Sequence, residues 1–202
     1  SDIADNIFSG QRIGKNAVEN NLLYAETVED NKNKTLFNNF GPRWEDPETG
    51  KYHREYKDGY IKRKSDHKGT DISSPEGKEI YSAADGTVWR NYKSSSYGNT
   101  VIIQSTTPEG QRVWSLYAHM KDPSIFKEGQ KVLEGQNIGL VGHTGVRRGG
   151  KEYGNHLHFG MNAGDKNGNF SFSQGWINPE TINIGNYEKL EDTPIYKQNL
   201  QK

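Results

Sequence analysis

The feature that most limits what this chain can fold into is its punctuation between residues 78 and 162. Apolar runs there are short, and glycine, proline or serine clusters interrupt them. "GKEIYSAADGTVWRNYK" reads as two short strands around a turn at Asp85-Gly86. "NTVIIQST" and "RVWSLYAHM" continue with the period-two alternation of half-buried strands. In "EGQKVLEGQNIGLVGHTG" the glycines at 129, 135, 139, 142 and 145 mark tight turns between brief runs such as Ile138, Leu140 and Val141. The expected class is therefore mainly β, a small antiparallel sheet or sandwich with no internal repeat.

Helical spacing occurs in the N-terminal flank, where Val18, Leu22, Ala25 and Val28 of "NAVENNLLYAETVED" predict a short helix within the polar, asparagine-rich residues 1–39. From residue 40 the chain turns at Pro42, Pro47, Gly50 and Gly59, which predicts a long loop or hairpin leading into His67. One domain over residues 40–185 and a tail over 186–202 complete the expected organisation. The 26 basic residues balance the 26 acidic ones, so no net field recruits nucleic acid or an anionic membrane. No apolar stretch approaches the roughly 18 residues of a membrane span, and the opening residues lack a signal peptide's basic-then-apolar order.

The chain has no cysteine, so strong metal ligands must come from histidine, aspartate and glutamate. Two of its six histidines stand one residue apart in "GNHLHFGM". On a strand His156 and His158 project to one side, and Leu157 and Phe159 to the other. Upstream, "HKGTD" holds His67 at a loop end and Asp71 at a strand start, with Gly69 and Thr70 opposing a helix between them. Two imidazoles and a carboxylate are a recurring set for catalytic zinc, because three protein ligands leave a position open. His67, Asp71 and His158 can supply that set, which leaves His156 free to act as a base. His119 ends a predicted strand with Trp114, Leu116 and Ala118 alternating behind it, and is a candidate either to support the metal ligands or to act on the transition state. Either histidine pair alone is a weak signal, and the surrounding words decide it.

In order, "HKGTDISSPEGKEIYSAADGTV", "YAHM", "GQNIGLVGHTG", "GNHLHFGM" and "INP" closely resemble the lysostaphin-type, or LytM-domain, peptidoglycan zinc endopeptidases, over about residues 65 to 180. The resemblance implies a small β fold with a narrow groove, one zinc ion held by His67, Asp71 and His158, and a catalytic pair in His156 and His119. Members that lost activity typically lack some of these five positions, and all five are present here. It implies peptidoglycan peptides as substrate and action outside the cytoplasm, whether periplasmic, at the cell surface, secreted, or delivered by phage or as an effector. A monomer is the expected state. A noncatalytic wall-binding or hydrolase-activating module of the same fold is the alternative, and a hydrolase of soluble glycine-rich proteins is a third reading.

Two departures bear on the groove. Asn155 stands where the family usually has proline, and "VRRGGKEYGN" is longer than the usual loop. The family's oxyanion-contacting tyrosine has three candidates, Tyr52, Tyr56 and Tyr60, of which Tyr60 is preferred for nearness to His67. Arg147 and Arg148 are equally readable as carboxylate-gripping residues or as a charged loop tip. His143 reads as a turn residue and His53 as part of a solvated loop. Trp89, Trp114 and Trp176 read as packing residues. For residues 1–39 a disordered or lightly helical flank is preferred over a plug across the site.

Overall fold

The computed structural model describes residues 40–179, apart from residues 54, 107–109, 134–135 and 148. The helix expected around residues 18–28 and the tail over 186–202 lie outside them. Among the described residues the regular structure is β throughout, without an α-helix, and no helix is long and apolar enough to cross a membrane.

The turn-rich approach to His67 forms a small sheet of three two-residue strands, β1 (Trp44–Glu45), β2 (Tyr52–His53) and β3 (Ile61–Lys62), in the order β2-β1-β3. Next come β4 (Thr70–Ser73), β5 (Glu79–Tyr81), β6 (Gly86–Ser94), β7 (Gly98–Thr106) and β8 (Arg112–Met120). The chain continues through β9 (Lys131–Val132), β10 (Asn137–Leu140), β11 (His156–Asn162) and β12 (Trp176–Ile177). The main sheet has seven antiparallel strands in the order β12-β11-β8-β7-β6-β9, with β4 also paired to β11. Strand β11 is thus flanked on both edges, by β8 on one and by β4 followed by β12 on the other.

Strands flank Asp85-Gly86 as expected, but they do not pair with each other. β5 pairs with β10 in a separate two-stranded sheet, while β6 pairs with β7 and β9. Alternation along the strands sorts residues onto two faces. Val101, Ile103, Tyr117, Leu157, Phe159 and Met161 join Ile80 and Ile138 from the two-stranded sheet in the main core. Ile102, Trp114, Leu116 and Ala118 lie on the opposite face, where Trp89, Tyr97, Phe170 and Trp176 cover them. Each fully buried large aliphatic or aromatic side chain contributes about 1.5–3 kcal/mol. The tryptophans are the packing residues that their strand context predicts.

Not every glycine of the 129–145 stretch serves a turn. Gly129 and Gly145 do, at φ 88° and 96°. Gly142 instead marks a close approach, because a Cβ there would lie 2.5 Å from the Lys121 backbone. Gly139 lies within β10, and a Cβ on it would meet the Met120 Cε.

Candidate active site

His158 lies opposite Asp71 on β4 and opposite Ala118 on β8, so the central strand of three carries it. Leu157 and Phe159, its neighbours in sequence, are almost fully buried in the main core and fix the strand's facing. His67 precedes β4 and is tied by reciprocal backbone hydrogen bonds to Gly41, of 2.9 and 2.7 Å. The segment leading into the outlying sheet therefore anchors one histidine and the main sheet anchors the other.

Asp71 Oδ1 is the meeting point. It lies 3.0 Å from His158 Nδ1, 3.4 Å from His67 Nε2 and 3.7 Å from His156 Nε2. One donor atom from each of His67, Asp71 and His158 lies within 4.8 Å of the others, as a metal-binding group requires. Burial opposes the Asp71 charge, but His67, His158 and His156 together hold its carboxyl well below the usual carboxylate range. Burial also pushes the His158 imidazole down, against the hydrogen bond to Asp71. An ionised carboxylate and a neutral imidazole are the forms that ligate metals. His158 Nε2 is buried without a partner, and the ring edge packs so tightly on Gly69 that a Cβ there would come within 2.9 Å of it. The ring is therefore held by packing, with Nδ1 turned to Asp71.

His119 reaches the same place by a backbone irregularity. The pairing of β7 with β8 shifts between Asn99–Met120 and Val101–Tyr117, so Ala118 and His119 together oppose Thr100, and His119 has φ 58°. This is a β-bulge. Without it, His119 would follow Tyr117 onto the core face. With it, Met120 enters the core and the His119 ring comes 4.6 Å from that of His156. His119 Nδ1 lies 2.8 Å from the Thr144 carbonyl and His156 Nδ1 lies 2.7 Å from the Gly154 carbonyl. A carbonyl can only accept, so both rings carry the proton on Nδ1, and in the neutral form both Nε2 atoms are acceptors. Burial, and then the neighbouring His156 and His158, push the His119 imidazole down to about 3.

Thr144 is the operative residue of "GHTG". Its hydroxyl donates to the Met120 carbonyl at 2.6 Å and accepts from the Asn99 amide at 3.0 Å, which locks the carbonyl that orients His119. His143 is half-exposed, with Nε2 3.9 Å from Glu76, as expected of a turn residue.

His67, Asp71, His119, His156 and His158 line a cleft of about 410 Å³. Two tyrosines that belong to none of the sequence motifs line it as well. Tyr97 stacks on His158 with ring centroids 5.3 Å apart, and Tyr153 lies 4.0 Å from the His119 ring. Burial raises both phenols, Tyr97 to about 12, so both remain hydrogen-bond donors at neutral pH. Tyr60 is not brought to the cleft, because it stacks on His53 in the outlying sheet at 4.9 Å. Tyr52 lies under Arg43 and Arg63, and Tyr56 packs on Trp44. Arg147 is exposed, its charge felt at Tyr153, and Arg148 lies outside the described residues.

A mainly β fold with a His-Asp-His group in an open cleft, beside two further histidines of fixed tautomer, defines a small β protein with a candidate metal centre of hydrolytic type. The model of peptidase family M23 matches residues 65–170, and the chain belongs to that family. It is 38% identical over 98 residues to the peptidoglycan DD-endopeptidase ShyA of Vibrio cholerae, covering 48% of this chain and 20% of that protein. It is 36% identical over 81 residues to the murein hydrolase activator NlpD of Escherichia coli, covering 40% of this chain and 20% of that protein. The chain thus spans about a fifth of the length of these curated relatives. The solved structure of LytU, 22% identical, shares the fold with a TM-score of 0.51 over 73% of this chain and 83% of its own.

Proposed function

We propose that this chain is a zinc-dependent endopeptidase that hydrolyses peptide bonds in the stem peptides or cross-links of bacterial peptidoglycan, acting outside the cytoplasm. The observation that carries this reading is the convergence of His67, Asp71 and His158 on one point, next to two histidines whose Nε2 atoms are acceptors. The donor set of two imidazoles and one carboxylate suits zinc and leaves room for substrate. The chemistry zinc supplies when bound is Lewis acidity toward the scissile carbonyl and the attacking water.

The chain's own residues then move the protons. His156 Nε2 takes the proton of the attacking water, its ring steadied by the Gly154 carbonyl. His119, oriented through Thr144, steadies the tetrahedral intermediate or passes a proton to the leaving amine once its Nε2 has received the proton that His156 took from the water, the two rings lying 4.6 Å apart. Such acid and base help amounts to about 10²–10⁴ in rate. The ShyA likeness supports a peptidoglycan substrate.

The NlpD likeness favours a second reading, a noncatalytic module that activates another hydrolase. The two separate on one experiment, mass-spectrometric mapping of fragments after purified sacculi meet the zinc-loaded chain alone. The endopeptidase reading predicts new peptide termini. Intact peptides, together with faster digestion when a separate wall hydrolase is added, would establish the second reading instead.

A further inference from the structure

Arg43 lines the cleft together with His67, Tyr97, Tyr153 and His156. Its backbone is fixed from both sides, since Gly41 is bonded to His67 and the Arg63 amide donates to the Arg43 carbonyl at 2.9 Å. The guanidinium lies over the Tyr52 ring, 5.2 Å from its centroid. A guanidinium brings five N–H donors. Here Nη2 meets the Ser65 carbonyl at a long 3.4 Å, Nε is buried without a partner, and among the described residues Arg43 meets no carboxylate.

Of the neighbouring cations, Lys68 also lines the cleft and Arg63 does not. Arg63 pairs with Glu45 at 3.1 Å, and the Lys68 ammonium donates to the Phe172 carbonyl at 2.7 Å. The Arg43 charge is felt at Tyr97, Tyr153 and His158, which places it beside the candidate reaction centre. A planar, aromatic-backed guanidinium of a cleft-lining arginine, without an ion pair among the described residues, matches one ligand group best, a carboxylate held by charge-assisted hydrogen bonds.

We propose that Arg43 forms a subsite for a free carboxylate on a residue flanking the scissile bond. This inference rests on the endopeptidase reading and narrows its substrate class to peptides that keep that carboxylate unamidated.

The test uses the zinc-loaded full chain and pairs of synthetic stem-peptide dimers. The members of each pair differ in one group, a free carboxylate or a carboxamide, on the residue to one or the other side of the scissile bond. One free-acid peptide is expected to show a KM about 10–100-fold below that of its carboxamide twin, the range of a hydrogen bond between charged groups. Arg43→Gln is expected to erase that preference, and Arg43→Lys to keep part of it. Equal KM values within every wild-type pair would overturn the proposal, and that comparison needs no variant to fold. An equal loss on acid and amide in Arg43→Gln would also overturn it, as the mark of a merely structural arginine. Failure of the wild type to cut any dimer or sacculi would instead refute the endopeptidase reading, and the subsite with it.

Discussion

Asp71 shows what the site demands of a single residue. Burial alone would raise its carboxyl, and the surrounding histidines more than reverse that, so the carboxylate enters the cleft already charged. Asp71→Asn keeps the volume and removes the charge. It should weaken zinc binding by more than about 100-fold, beyond the 10–100-fold usual for residues that only support a ligand. Competition with a chelating dye measures this. Thr144 acts at one remove, because Thr144→Val leaves the Asn99 amide without its partner and the Met120 carbonyl with only the longer bond from Asn99 Nδ2. The expected cost is about 1–3 kcal/mol of stability, read from urea unfolding, with kcat falling as His119 loses its orientation.

At the scale of the element, β11 and β8 each do two jobs. Leu157 and Phe159 anchor β11 in the core, so Leu157→Ala should cost about 2–5 kcal/mol through the cavity it leaves, again measured by urea unfolding. The bulge in β8 makes a less ordinary prediction. At φ 58° a Cβ is unfavourable, so His119→Gly should be more stable than His119→Ala by about 1 kcal/mol, the reverse of the order in a regular strand.

These two strands also mark how far the sequence could be read. The facing of His156 and His158 was legible because alternation is a local rule, and the buried residues between them fixed its direction. The bulge at Ala118-His119 was not, because an added residue opposite Thr100 is a property of pairing between strands. The same holds for β5, whose partner β10 lies more than fifty residues on. Arg43, Tyr97 and Tyr153 carry no periodicity either. They enter the cleft from turns and loops, which explains why Tyr60, chosen for nearness in sequence, is not the tyrosine beside the histidines.

At the scale of the whole molecule, the candidate ligands join the segment tied to the outlying sheet with the centre of the main sheet. Zinc should therefore stabilise the fold by mass action, by about 2.7 kcal/mol at a hundredfold excess over its dissociation constant. The metal-free protein should also respond to acid. His119 titrates near 6.5 when unfolded and at about 3 when folded, so between those values the unfolded chain binds the additional proton. Stability must then fall as pH drops below about 6.5. The urea midpoint of the metal-free wild type should be lower at pH 5 than at pH 7, and His119→Gln should flatten that dependence.

The central claim is that His67, Asp71 and His158 hold the metal on which peptide hydrolysis depends. Release of soluble fragments from purified sacculi tests it directly, with wild type, chelator-treated and zinc-restored protein set beside Asp71→Ala. Fragments should appear with the wild type, stop with the chelator, return with zinc and be absent with Asp71→Ala. Undiminished release by the chelated protein or by the variant would contradict the claim.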